Sequence, residues 1–245
     1  MEYKGSSAYD QHRFFEQYIA RRYREESPNE KIKKPVLFEL LDDVTDYEVL
    51  DLGCGDAFLG LELLKRHCRS YTGVDGSKNM CERASQHLKD RRGRIVHSTM
   101  EEFDFPPFTY DLVVSQLALH YIEDFSMLAK KIYKTLKVNG QFVFSVQHPL
   151  LTASFESLTA SGKRNNWIVD NYFHSGKRVE PWIGEHVVKY HRTMEEYFAI
   201  LKQSGFIIHD IREATPQKDH FKDIEEYERR MRIPLFLLFS CRKPS

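Results

Sequence analysis

The chain has 245 residues, and its 36 Lys and Arg balance 36 Asp and Glu to a formal charge of zero. A hydrophobic share of 41% with 29% charged residues is globular composition and excludes a disordered chain. The charge balance also excludes a protein that coats nucleic acid through a global excess of cations, though not a local patch.

Apolar runs such as Leu235–Phe239 are far shorter than the roughly 20 residues of a spanning helix, so no membrane segment is expected. The first residues are polar and acidic, unlike a secretory signal. Cys54, Cys68, Cys81 and Cys241 are scattered without metal-ligand spacing. They are expected to be reduced, mostly buried thiols of a cytoplasmic protein, with no metal site.

Residues 1–47 read as an amphipathic helical cap, with Phe14, Tyr18 and Ile19 at helical spacing and a polar loop before Pro35. From 48 to 147 the rhythm changes. Short β-rich runs at Glu48–Leu52, Ser70–Asp75, Arg94–Ser98, Tyr110–Ser115 and Gln141–Val146 alternate with helical stretches at Leu59–His67, Lys78–Lys89 and Ser126–Leu136. Asn139-Gly140 is expected to end the last of these helices as a left-handed cap. Residues 148–190 break the pattern with Trp167, Tyr172, Phe173, Trp182 and Tyr190 among Ser, Gly and Asn, and His174–Lys177 is expected to turn a hairpin. Residues 191–245 return to the sheet. A helix over Thr193–Gln203 is capped by Thr193 and closed by Gly205, and strands at Phe206–Ile211 and Leu235–Phe239 flank a polar helix at Asp219–Arg232. Alternating strands and helices imply right-handed crossovers. The expected fold is α/β: a Rossmann-like, mostly parallel seven-stranded sheet, helices on both faces, and an aromatic lid inserted after the fifth strand, all in one domain.

The strongest motif is Val49-Leu50-Asp51-Leu52-Gly53-Cys54-Gly55-Asp56, a strand running into a glycine turn and then a helix. Glycine lets the backbone bend and approach a ligand closely, and the helix start offers free N–H groups. Asp75 lies twenty residues beyond Gly55, at the end of the next strand, where a carboxylate can accept from both ribose hydroxyls. The competing reading is that the glycines only turn the chain and Asp75 only caps a helix. A dinucleotide fingerprint needs a third glycine where Phe58 stands, and Asp51 beside the turn suits an ammonium-bearing ligand instead.

These residues resemble the class I S-adenosylmethionine-dependent methyltransferases, of the small-molecule kind related to ubiquinone biosynthesis. Asp51-Leu52-Gly53-Cys54-Gly55 is similar to their first motif, and Gly73-Val74-Asp75-Gly76-Ser77 with Met80 to the second. Tyr110–Ser115 and Leu136–Gln141 are similar to the fourth strand and the approach to the fifth. The resemblance implies S-adenosylmethionine as cofactor. It places Asp51 and the Gly53 backbone at the methionyl end, Asp75 at the ribose, and Gly76 and Met80 beside the adenine, with Cys54 and Gly55 also among the cofactor-binding residues. Ser98-Thr99-Met100-Glu101 stands where the family has Gly-Asp-Ala-Glu, so the adenine contact is lost at Thr99 or passes to the Met100 amide. Gln116 faces the methionyl group in relatives. Asp56-Ala57 departs from the family's Thr-Gly or Ser-Gly, which changes loop shape more than chemistry.

Methyl transfer needs alignment of nucleophile, methyl carbon and sulfur, and a base helps a hydroxyl or ammonium acceptor. His120 and His148 follow the fourth and fifth strands on the ligand edge and are the candidate bases; each has a packing role as its alternative. Trp182, Tyr190 and His191 are the candidate acceptor-pocket residues, and the insertion aromatics have their own small core as the alternative. Tyr9 and Tyr18 would close over a cationic sulfonium, with Tyr18 also fitting a core stripe. The expected partner is a small-molecule acceptor, with the acceptor atom and the oligomeric state left open. Nicotinamide chemistry is disfavoured by Phe58. A binding protein without turnover and an RNA methyltransferase are the remaining alternatives, the latter weakened by zero net charge.

Overall fold

The computed structural model describes residues 2–25, 27–89, 92–158, 164 and 166–245. In chain order its elements begin with β1 (Glu2–Lys4), a 3-10 turn (Gly5–Asp10), α1 (His12–Arg22), a π-helical turn (Asn29–Lys33) and α2 (Lys34–Leu40). The alternating region follows as β2 (Glu48–Leu52), α3 (Phe58–Lys65), β3 (Ser70–Asp75), α4 (Lys78–His87), β4 (Gly93–His97) and β5 (Tyr110–Gln116). It continues through α5 (Phe125–Thr135), β6 (Leu136–Gln147), α6 (Pro149–Ala153), β7 (Gly176–Trp182) and β8 (Glu185–His191). The chain closes with α7 (Met194–Gln203), β9 (Ile207–Arg212), α8 (Ile224–Met231) and β10 (Phe236–Arg242).

Seven strands form one sheet in the order β4-β3-β2-β5-β6-β10-β9. All neighbours run parallel except β10, which is antiparallel to β6 and β9. The central parallel strands are buried along nearly their whole length, because helices cover both faces. Alternation divides their side chains: Leu50, Leu52, Phe142 and Phe144 pack with Phe125, Ile132, Tyr197 and Leu201 on one face. Val49, Leu112 and Val143 pack with Leu37, Leu63 and Leu88 on the other. The sequence reverses direction between β2 and β5, and that switch point opens a crevice at the strands' carboxyl ends. All four cysteines are buried and free. No helix among the described residues is long and apolar enough to cross a membrane.

Three local expectations change. α5 stops at Thr135, and Asn139, although left-handed at φ +62°, lies within the β6 span, where its N–H donates to Lys243 O. The hairpin turns at Ile183-Gly184, not at His174–Lys177; Trp182 faces Glu185 across a two-residue loop whose residues both have positive φ. Two-residue loops of that kind match the right-handed twist of the strands they join. The third change is at the amino end, where β1 pairs in parallel with β8, so the chain's first residues and the insertion build a separate three-stranded sheet, β1-β8-β7. The expected Thr193 cap is present as a full capping box with Glu196.

Candidate functional site

A cavity of about 700 Å³ opens at the switch point and runs from the glycine turn to the three-stranded sheet. Gly53 (φ +71°) and Gly55 (φ +56°) turn the chain out of β2, while the Gly53 and Cys54 N–H groups donate to Val74 O. A Cβ on Gly53 would collide with Ala118 Cβ and lie 2.8 Å from Met100 Cε. A Cβ on Gly55 would meet nothing within 4 Å, so bare backbone faces the cavity there. Asp75 closes β3; its Oδ2 accepts from Gly55 N–H and its Oδ1 from Ser77 N–H, both at 2.9 Å. Each oxygen keeps a further lone-pair site, and burial raises the carboxyl's pKa. Cys54, Gly76, Met80, Thr99, Met100, Glu101 and Gln116 join these residues on the cavity wall. The Thr99 hydroxyl donates to Glu102 Oε2 and so caps its own turn.

Asp51 does not line the cavity. It lies under the turn, 1% exposed, where Tyr71 O–H donates to its Oδ2 at 2.7 Å and Oδ1 has no hydrogen-bond partner. Burial pushes it up to about 7. Tyr71 reaches this place because residue 60 is glycine, whose Cβ would lie 2.5 Å from the ring. The close helix–strand approach absent at Phe58 is thus made two residues later.

Lys33, from the π-helical turn, does reach the cavity wall at this end. Only 3% exposed, its Nζ donates to Gln116 Oε1 at 2.6 Å. Burial and the neighbouring Arg22 push it down to about 7. Asp56 anchors the same N-terminal segment: Tyr23 O–H donates to it, and Arg22 and Arg83 lie 3.6 and 3.7 Å away. Asp56 stands in the glycine-turn motif as a departure in loop shape, whereas Lys33 carries no sequence signal: a lysine inside a run of charges looks solvated until the chain folds over it.

At the far end His120 is 3% exposed on the cavity wall. Its Nδ1 accepts from Gln147 N–H at 3.3 Å, which assigns the ring proton to Nε2. Burial, then the positive charges of Lys189 and Arg192, hold it well below the usual imidazole range. Beside it Lys189 donates to Glu180 Oε2 and, at 2.8 Å, to Gln147 Oε1. The ammonium stands 5.0 Å from the Trp182 ring centroid and 5.6 Å from that of Tyr121. Trp182 packs edge-on against Phe14, Tyr18 and Tyr9 at 5.5, 5.8 and 6.3 Å, so this one insertion aromatic joins the N-terminal segment in a cluster, while Tyr172 packs with Phe173 and His191. Tyr190, also on the wall, donates to Glu123 Oε2 at 2.9 Å.

The other two histidine candidates leave the site. His148 Nδ1 accepts from Leu150 N–H and Nε2 donates to Glu213 Oε1, fixing the strand exit outside the cavity. His191 is fully buried away from the wall: Nε2 donates to Tyr172 O at 2.8 Å and Nδ1 accepts from Thr152 O–H at 2.7 Å. With both ring nitrogens committed, neither has a free base. Burial lowers the pKa of each.

Residues 50–144 match the family described as "Methyltransferase domain". An uncharacterized protein of Haemophilus influenzae is 31% identical over 89% of this chain and 92% of its own length. The crystal structure of an S-adenosylmethionine dependent methyltransferase from Mesorhizobium loti superposes with a TM-score of 0.79 at 32% identity, covering 85% of this chain and 96% of that one. Further away, a ubiquinone biosynthesis O-methyltransferase of Rickettsia conorii is 23% identical over 58% of this chain and 50% of its own.

Proposed function

The chain belongs to the class I S-adenosylmethionine-dependent methyltransferases, and on that footing we propose that it methylates a small-molecule acceptor held between His120, Lys189 and Trp182. The observation that carries this reading is the single cavity joining the glycine turn and Asp75 to that polar and aromatic end. When bound, the cofactor supplies an electrophilic methyl group on a sulfonium. The residues present suit it. Asp75 accepts from the ribose hydroxyls with its remaining lone pairs. The open face of Gly55 admits close approach of the nucleoside, and Gly76, where a Cβ would strike Ser6, lets the N-terminal segment close against the same wall. Met80 and Met100 supply apolar surface for the adenine. Lys33, steered by Gln116, takes the methionyl carboxylate, and Asp51 acts from beneath by holding the turn. Tyr9, Tyr18 and Trp182 wall off water, so the acceptor is oriented in a largely apolar enclosure.

The cavity volume sits within the range for small ligands, which favours a small molecule over a polynucleotide. Titration calorimetry with S-adenosylhomocysteine tests the binding half, and NAD(H) is expected to bind negligibly. Turnover with labelled cofactor across small acids, phenols and amines, read as S-adenosylhomocysteine release, tests the other half. Release only with RNA would overturn the acceptor assignment.

A further inference from the structure

The acceptor end is lined by donors around His120, and the charges acting on that ring, from Lys189 and Arg192, are both positive. His120 presents Nε2–H and not a lone pair, because Gln147 N–H occupies Nδ1. Lys189, 4% exposed, spends two N–H groups on Glu180 and Gln147 and keeps a third. Behind them Arg192, 8% exposed, donates through Nη2 to the carbonyls of Ile122 and Glu123. Its Nη1 is buried without a partner, and among the described residues no carboxylate forms an ion pair with it. A buried guanidinium without a counter-ion leaves the neighbourhood of His120 electropositive. Of the carboxylates near this end, Glu180 accepts from Lys189 and Glu123 from Tyr190, while Glu101 lies on the wall towards Tyr190.

An acceptor that arrives protonated meets donors and not a base at His120 and Lys189, whereas a phenol or an ammonium must lose a proton before it can attack. A carboxylic acid is already ionised near neutral pH. We propose that the acceptor is a carboxylate, received by Lys189 and the His120 Nε2–H. Its oxygen then provides the electron pair of the new O–CH3 bond while the C–S bond breaks and its pair stays on sulfur. No proton moves, and the product is a methyl ester. The negative charge also complements the sulfonium it approaches, so binding and reaction favour the same ion.

The inference rests on the cofactor lying at the glycine-turn end, so the test separates the two. The protein is first titrated with S-adenosylhomocysteine; no binding would break the functional reading itself. The loaded protein is then titrated by calorimetry with cinnamate, cinnamamide and cinnamylamine, three probes of one shape. Cinnamate is expected to bind about tenfold or more tightly than the amide, the scale of a charged hydrogen bond, and the amine weakest. Glu180→Gln/Lys189→Met, which removes the ammonium without stranding a buried carboxylate, should abolish the preference and keep S-adenosylhomocysteine affinity. If that variant does not fold, the wild-type order decides alone. Equal binding of the three, no binding of cinnamate, tightest binding of the amine, or a preference that survives in the variant overturns the proposal.

Discussion

At the glycine-turn end of the cavity the wall is largely main chain, supplied by the consecutive strands β2 and β3 and the turns that follow them. Asp75 ties this end together by accepting from two backbone N–H groups. At the other end the wall is side chain, gathered from α1, the turn after β5, the end of β6 and the β7–β8 hairpin, and held by edge-on rings and one buried ion pair. Backbone geometry is repeatable and indifferent to most side-chain changes, so the first end suits a fixed ligand. Side-chain packing can be re-cut residue by residue without moving the sheet, which suits a ligand that differs among relatives.

If the two ends are as separable as this, substitutions should divide into classes. Gly53→Ala places a methyl against Ala118 and Met100 in a positive-φ residue, and is expected to cost about 2–4 kcal/mol in denaturant unfolding. S-Adenosylhomocysteine binding should fall with it. Asp75→Ala should weaken S-adenosylhomocysteine by about 1.5–3 kcal/mol in calorimetry, with the sheet still folded; unchanged affinity would remove Asp75 from the ribose.

Lys33→Met should weaken S-adenosylhomocysteine about tenfold, as for a lost charged hydrogen bond, and leave methylthioadenosine, which lacks the amino-acid end, unaffected. The same variant has a pH signature. Lys33 is held near 7 in the fold against 10.5 when unfolded, so between those values the unfolded chain binds more protons and stability rises with pH. The substitution should flatten that rise in unfolding curves. Asp51, raised to about 7 from 3.8, gives the opposite slope below neutrality, which persists in the variant. Smallest of all, Trp182→Ala should change S-adenosylhomocysteine affinity by no more than about 0.5 kcal/mol while turnover and hydrogen-exchange protection of the small sheet drop. Parallel loss of cofactor affinity and turnover would erase the distinction between the two ends.

The same division governs what could be read from the sequence. The central strands were legible because burial on both faces makes them continuous apolar runs, and the glycine turn because its residues are neighbours in the chain. The far end depends on distant segments meeting. β1 is too short to show a period, and Lys33 sits in a run of charges. His148 and His191 had the right address on the strand ends and the wrong surroundings, since their partners, Glu213, Thr152 and the Tyr172 carbonyl, lie far off in sequence. The hairpin was misplaced because Gly176 lies in a conspicuously turn-rich stretch, while Ile183 holds a conformation that a β-branched residue rarely adopts.

The parallel pairing of β1 with β8 also sets an order in time. Glu2 faces His186, so β1 is synthesised long before β8 and waits for it before it can pair. The glycine turn and its flanking strands can assemble from local contacts long before then. The clasp that finally closes over the acceptor end is three residue pairs long, reinforced by a Lys177–Glu2 contact at the surface. So slight a seam shares no strand with the seven-stranded sheet, so its loss is expected to cost far less than global unfolding.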